Sequence, residues 1–287
     1  MMSRGRHRWR RTGSPVPRAV ILVILGVLAV LTFFPFYMMV NQATHNSKEI
    51  LTTPPPLGPG SRFFDNYSNV LKVVPFWRNF ANSVIIAGSI TALTLLFCSL
   101  GGYAFAVYQF PLKRLLFATL LGTMMLPWLV NLIPWFIIVT RLHWLNSFLS
   151  LIVPSAVNAF GVFWMRQYVT SNVPLELLDA ARIDGCPEGL IFFRVVVPIL
   201  SPALAALAIM NFLPSWNSFF YPLLVLTRKQ VMTLPLILNL LRGDPYRGMD
   251  YGVLMTATTM ALAPVMIVFW LAARRFISGM TAGAIKG

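Results

Sequence analysis

Asp, Glu, Lys and Arg vanish from this chain for long stretches and return in short clusters. The uncharged stretches are 19–47, 79–112, 115–140, 142–165, 195–227 and 251–273. A helix needs about 20 apolar residues to cross about 30 Å of hydrocarbon, so each stretch can hold one span. The pattern predicts spans at about 19–41, 83–108, 115–139, 148–168, 199–222 and 251–273. The expected fold is all-α: a polytopic membrane protein with six transmembrane helices in one domain, 19–276, between a basic tail, 1–18, and a C-terminal tail, 277–287. The stretch 195–227 would be about 50 Å long as a straight helix, and it contains Pro198, Pro202, Pro214 and Pro222. A bend near Pro214 is expected, with 188–198 outside the bilayer. The segment 42–82 carries Pro54-Pro55-Pro56 and Gly58-Pro59-Gly60, which cannot continue a helix; a small ordered cap is expected there.

Composition narrows the class. Of 287 residues, 57% are hydrophobic and 11% charged, against roughly 25% charged in soluble domains. So few charges cannot cover a soluble globule, and so apolar a chain does not stay disordered. The net charge of +15 does not imply a nucleic-acid partner, because the basic residues are spread over the segments between spans, where orientation bias accounts for them. With the N-terminus in the cytosol, 14 Lys and Arg fall inside and 9 outside. This favours N-in and C-in, as six spans require. The apolar stretch 19–41 exceeds the 7–15 residues of a signal-peptide core, so the first helix is expected to remain uncleaved. The basic tail serves topology or touches anionic lipid.

The predicted spans hold no ionisable group in their apolar cores, which weighs against ion-coupled carriers, cation channels and membrane enzymes. Cys98 and Cys186 are expected as free thiols, and His7, His45 and His143 are scattered, so no zinc site is expected. No G-x-x-x-x-G-K-[ST] occurs, hence no phosphate cradle for ATP. The chain is expected to be no enzyme and to hold no cofactor; any ATP and Mg would sit in another subunit. The polar residues inside spans are neutral: Asn131, Asn158, Asn211, Trp216 and Asn217. They suit a hydroxyl-rich solute, or they join helices by hydrogen bonds.

The segment from Ser171 to Glu188 reads as a short helix with both stops written in. Ser171 or Asn172 can cap its start, Pro174 fits the first turn, and Gly185 supplies a left-handed C′ position before Pro187 blocks continuation. Asp179 and Arg182 share a face, as do Leu175, Leu178 and Arg182 by helical spacing, while Ala180 and Ala181 keep the surface thin. Glu188 opens a second helix ending at Pro198. Such an elbow is either a docking element or a solvated connector.

Residues 174–202 resemble the EAA loop of ABC importer permeases. Asp179-Ala180-Ala181 stands at the EAA triplet, with Asp for Glu. Asp184-Gly185 matches the DG pair, Cys186 replaces Ala, and Phe193, Val197-Pro198 and Pro202 match the tail of the motif. Asn82-Ser83, Tyr103-Ala104-Phe105-Ala106, Trp216-Asn217 with Pro222-Leu223, and the ending Gly279 to Gly287 resemble the maltose-type sugar permeases, on the MalG-like side, across roughly 19–287. The resemblance implies a prokaryotic plasma-membrane importer subunit. It would share a path with a second, MalF-like permease, two cytosolic ATP-binding subunits and an extracytoplasmic solute-binding protein that delivers a sugar. Asp179, Ala180, Ala181, Asp184 and Gly185 would form the ATPase-docking surface of a coupling elbow between helices 4 and 5. The C-terminal tail would reach toward the ATPase interface. The alternatives are the same transporter class for glycerol phosphate, or an ion-coupled secondary carrier that ignores ATP.

Overall fold

In a computed structural model of the protein, residues 18–242, 250–262 and 264–267 are described, and every regular element among them is helical. The first span is α1 (Arg18–Gln42). The Pro-rich segment after it carries α2 (Ser47–Ile50) and α3 (Phe63–Val73), and α4 (Phe76–Val107) follows. The third apolar stretch is divided between α5 (Lys113–Thr123) and, after a 3-10 turn at Trp128–Asn131, α6 (Leu132–Arg141). The fourth is divided between α7 (Leu149–Ser155) and α8 (Ala159–Asn172). The elbow comprises α9 (Leu175–Ile183), α10 (Glu188–Ile191), a π-helical turn at Phe192–Val196 and α11 (Val197–Ile199). Beyond it come α12 (Ser201–Trp216), α13 (Phe220–Val225) and α14 (Leu234–Leu240). The last helix among the described residues, α15, is Tyr251–Ile267. The tails 1–17 and 277–287, and the end of the sixth predicted span at 268–273, lie outside the described residues.

Among the described residues, two helices, Ala19–Gln42 and Phe76–Val107, are each long and apolar enough to cross a membrane alone. Two bent pairs meet the same test when each is taken together. Lys113–Thr123 and Trp128–Arg141 bend by 99°, and Glu188–Ile199 and Ser201–Trp216 bend by 81°. The third apolar stretch is therefore broken where a straight helix over 115–139 was expected. Pro127 removes a donor and stands at the N-cap of the 3-10 turn. The fourth stretch breaks at 156–158. In the fifth, α12 passes through Pro214 and ends at Trp216, so the interruption falls at 217–219.

The long helix α4 is the spine. It starts at Phe76, ahead of the expected 83, because Pro75 sets the N-cap and Phe76 is fully buried against Trp77 and Phe80. α8 and α12 pack along it. The α4–α8 approach is close. A Cβ on Gly102 would lie 2.6 Å from Met165 Cβ and 2.6 Å from the Arg166 backbone nitrogen, and one on Gly161 would lie 2.7 Å from Cys98 Sγ. Small residues let membrane helices touch backbone to backbone.

Two apolar clusters sit at opposite ends of α4. One gathers Phe76, Ile86, Leu151, Trp216, Leu234 and Ile237; the other gathers Cys98, Met165, Leu178, Ile191, Leu200 and Leu207. The Asn82-Ser83 pair fixes the first. Asn82 Nδ2 donates to the carbonyls of Gln230 and Met232, and Ser83 Oγ accepts the Leu234 amide at 2.7 Å. Asn79, whose role the sequence did not reveal, donates to the Lys229 and Met232 carbonyls. The Pro-rich segment is ordered: Asn66 Nδ2 donates to the carbonyls of Ala43 and His45, and Thr256 Oγ1 donates to Ala43 O.

Gly102→Ala tests the spine. Overpacking costs about 1–3 kcal/mol, so its melting temperature in detergent should fall. Gly88→Ala, whose Cβ meets nothing within 4 Å, should melt no lower than the parent. Equal melting temperatures for the two variants would contradict the close approach.

Candidate functional site

A cavity of about 570 Å³ lies where the broken helices meet. Its wall takes Ile86 and Ile90 from α4, Ser155 and Asn158 from the α7–α8 break, Met210, Asn211 and Ser215 from α12, and Ser218 and Tyr221 from the α12–α13 break and α13. Asn131 and Trp135 complete one side. Helix breaks at membrane depth free carbonyls, which are tolerated only against protein or water. At the α7–α8 break α4 reaches the backbone: Thr94 Oγ1 donates to Ser155 O at 3.1 Å, and Cys98 Sγ donates at 3.5 Å to Asn158 O, which also accepts the Val162 amide.

Three of the five polar span residues come together. Asn158 is the N-cap of α8, its Oδ1 accepting the Gly161 amide at 2.7 Å. Its Nδ2 donates to Asn211 Oδ1 at 3.0 Å, and Asn211 Nδ2 donates to Leu207 O. Asn131 lines the same cavity. Trp216 and Asn217 do not join them. Trp216 is buried between Phe80 and Phe212, and Asn217 donates to Leu213 O; both line a separate, smaller cavity of about 200 Å³. Trp135 and Tyr221, which meet edge-to-face at 4.8 Å, were not expected at the cavity, nor was Thr233, whose buried Oγ1 has no partner among the described residues and which lines the main cavity. Thr233 comes from the loop before α14, far along the chain from the other lining residues. An unmatched hydroxyl is its one signal, and that signal is structural.

The second constellation is the elbow. Gly185 has φ +75°, in the left-handed region. The Cys186 amide donates to Ala181 O and the Gly185 amide to Arg182 O, each at 3.0 Å. This pair closes α9 as a Schellman motif. The start of α9 differs from expectation. Ser171 and Asn172 belong to α8, Asn172 Nδ2 donating back to Tyr168 O, and Pro174 is an N-cap with no side-chain bond. Lying three and two residues before that N-cap, neither Ser171 nor Asn172 caps the first amides of α9.

Leu178 is fully buried in the second apolar cluster and roots α9, while Ala181 is half-buried beside it. Leu175, Leu177, Asp179, Ala180, Asp184 and Gly185 are exposed, and Ile183 is 87% exposed. Arg182 ties the elbow together. Its NH1 donates to Asp179 Oδ1 at 2.8 Å and its Nε to Glu188 Oε1 at 2.7 Å. Glu188 Oε2 also accepts the Tyr108 and Tyr103 hydroxyls from the end of α4. The Arg182 guanidinium first, then the Tyr108 hydroxyl, hold the Glu188 carboxyl below its usual range.

Residues 99–281 match the family described as binding-protein-dependent transport system inner membrane component. The chain is 36% identical over 281 residues to the arabinooligosaccharides transport system permease protein AraQ of Halalkalibacterium halodurans, covering 97% of this chain and all of that one. It is 34% identical to the lactose transport system permease protein LacG of Rhizobium radiobacter, covering 94% and 97%. It is 30% identical to the sn-glycerol-3-phosphate transport system permease protein UgpE of Escherichia coli, covering 90% and 93%. A chain in the crystal structure of a bacterial ABC transporter involved in the import of the acidic polysaccharide alginate shares its fold, with a TM-score of 0.80, 23% identity and coverage of 90% and 96%.

The Glu188 linkage has a definite sign. A depressed carboxyl pKa stabilises the elbow above the ordinary carboxylate range, and that contribution is lost as pH falls through the lowered value. At pH 7, Glu188→Gln should raise hydrogen exchange across 175–190 above wild type, and the difference should close on acidification. Identical exchange at pH 7 would contradict the clasp.

Proposed function

The chain belongs to the family of inner membrane components of binding-protein-dependent transport systems, and from that premise we propose how it moves solute. It is a permease subunit of an importer for a sugar or oligosaccharide. Six spans with both termini in the cytosol put the elbow on the cytosolic side. Two ATP-binding subunits, which carry the ATP and Mg, dock on elbows, here on the surface of Asp179, Ala180, Ala181, Asp184 and Gly185. A second, MalF-like permease closes the path, and an extracytoplasmic solute-binding protein feeds it.

The observation that carries this reading is that the two helices bounding the elbow are joined across the cavity wall. α8 runs from Asn158 at the cavity to Asn172 just before α9, about 21 Å by helical rise. α12 returns from the 81° bend at Leu200 to Asn211. The Asn158–Asn211 hydrogen bond links them. Such bonds between membrane helices contribute about 1 kcal/mol, weak enough to exchange for a solute hydroxyl. When the ATPase dimer closes, the docked elbows move together, and α8 and α12 lever the cavity wall.

The substrate side rests on the lining. Amides, hydroxyls and the faces of Trp135 and Tyr221 meet the cavity, and among the described residues no Lys, Arg, Asp or Glu lines it. This half of the path favours a neutral carbohydrate over glycerol phosphate, whose charge would lack a partner here.

In cells expressing the transporter, Asn211→Ala should lower uptake of the cognate sugar severalfold at unchanged membrane abundance. Gly185→Asp should abolish it, and Gly185→Asn should be milder because Asn can take the left-handed C′ position and adds no charge to the docking surface. Full uptake by Gly185→Asp at normal abundance would refute the docking role; full uptake by Asn211→Ala would remove that residue from the path.

A further inference from the structure

A second cavity, of about 590 Å³, lies between the start of α5 and α8. It is apart from the solute cavity and at the elbow end of α4. Its lining includes three cations, Lys113, Arg114 and Arg166, and three aromatic rings, Phe105, Phe110 and Phe117; no carboxylate lines it among the described residues. Among the described residues none of the three cations forms a salt bridge. Lys113 Nζ donates to the Tyr108 carbonyl. Arg166 stacks over the Phe117 ring at 4.1 Å and its NH1 donates to Gln167 Oε1 at 3.4 Å, while its buried Nε has no hydrogen-bond partner among the described residues. A buried guanidinium nitrogen left unmatched is costly, and stacking fixes the plane without supplying an acceptor. Leu112, at the turn into α5, holds φ +61° and is exposed. A leucine in this region is strained.

Position selects the ligand. Lys113 and Arg114 lie between two uncharged stretches, and Arg166 follows another directly. The cations therefore sit at the level where apolar spans meet water, beside rings that can pack on an acyl chain. We propose that this cavity holds the headgroup of an anionic phospholipid, its phosphate accepting from Lys113, Arg114 and Arg166 while the first part of an acyl chain lies against Phe105, Phe110 and Phe117. Bound there, the lipid bridges the turn into α5 to the helix that enters the elbow.

The full-length protein, purified in mild detergent with the subunits that accompany it, is delipidated and titrated separately with short-chain phosphatidylglycerol, short-chain phosphatidylcholine and inorganic phosphate. Bound lipid is read by native mass spectrometry. Phosphatidylglycerol should be retained over phosphatidylcholine, and Lys113→Gln/Arg114→Gln should weaken it about thirtyfold, at the usual attraction of each basic side chain to an anionic membrane. Arg166→Gln should weaken it too. Arg194→Gln, on the exposed elbow arm, should leave it unchanged. Equal retention of the two lipids, retention unaffected by Lys113→Gln/Arg114→Gln, or binding of inorganic phosphate without phosphatidylglycerol would each overturn the proposal.

Discussion

The contact on which the rest depends is the bare crossing of α4 and α8. At Gly102 and Gly161 there is no room for a Cβ, so the two helices are held at a distance set by backbone. Interiors packed this tightly respond by shifting as units. Because α4 also carries α12 and ends in the tyrosines that clasp Glu188, one rigid element references both the cavity and the elbow. A looser crossing would let the elbow move without the cavity noticing.

Neutral polar side chains do the remaining work inside the apolar stretches. At the α7–α8 break, Thr94 and Cys98 donate to the carbonyls of Ser155 and Asn158, and the Asn158 side chain accepts the Gly161 amide, all in place of charges. The result is a set of interruptions that are stable yet lined by groups able to trade partners. Charge is confined to the ends, where Arg182, Asp179 and Glu188 knit the elbow. Neutral groups thus line the cavity while charged groups brace the elbow.

The apolar stretches and the elbow were legible in the sequence because each rests on a local rule. Charge-free length marks the former, and Gly185 before Pro187 marks the end of α9. The breaks in the third and fourth stretches were less legible. Where nearly every residue is apolar, helical periodicity carries little information, and a proline such as Pro127 or Pro154 can bend, end or ride inside a helix. Ser171 and Asn172 looked like caps because composition cannot say that α8 runs on to Asn172. Asn158 and Asn211 were found by their polarity, but Trp216 and Asn217 have the same polarity and face a different space. Direction around a helix, together with the arrival of Thr233 from a distant loop, is a property of packing.

The most direct test joins cavity and elbow in one experiment. With Cys98 and Cys186 replaced by serine, cysteines at Asn158 and Asn211 are bridged by a short bifunctional thiol reagent in the complex purified through this chain, and ATP hydrolysis is measured with and without sugar-loaded binding protein. Coupling predicts that hydrolysis rises on adding loaded binding protein before bridging and no longer responds after it. Stimulation that survives bridging would contradict the claim that the elbow and the cavity wall move as one.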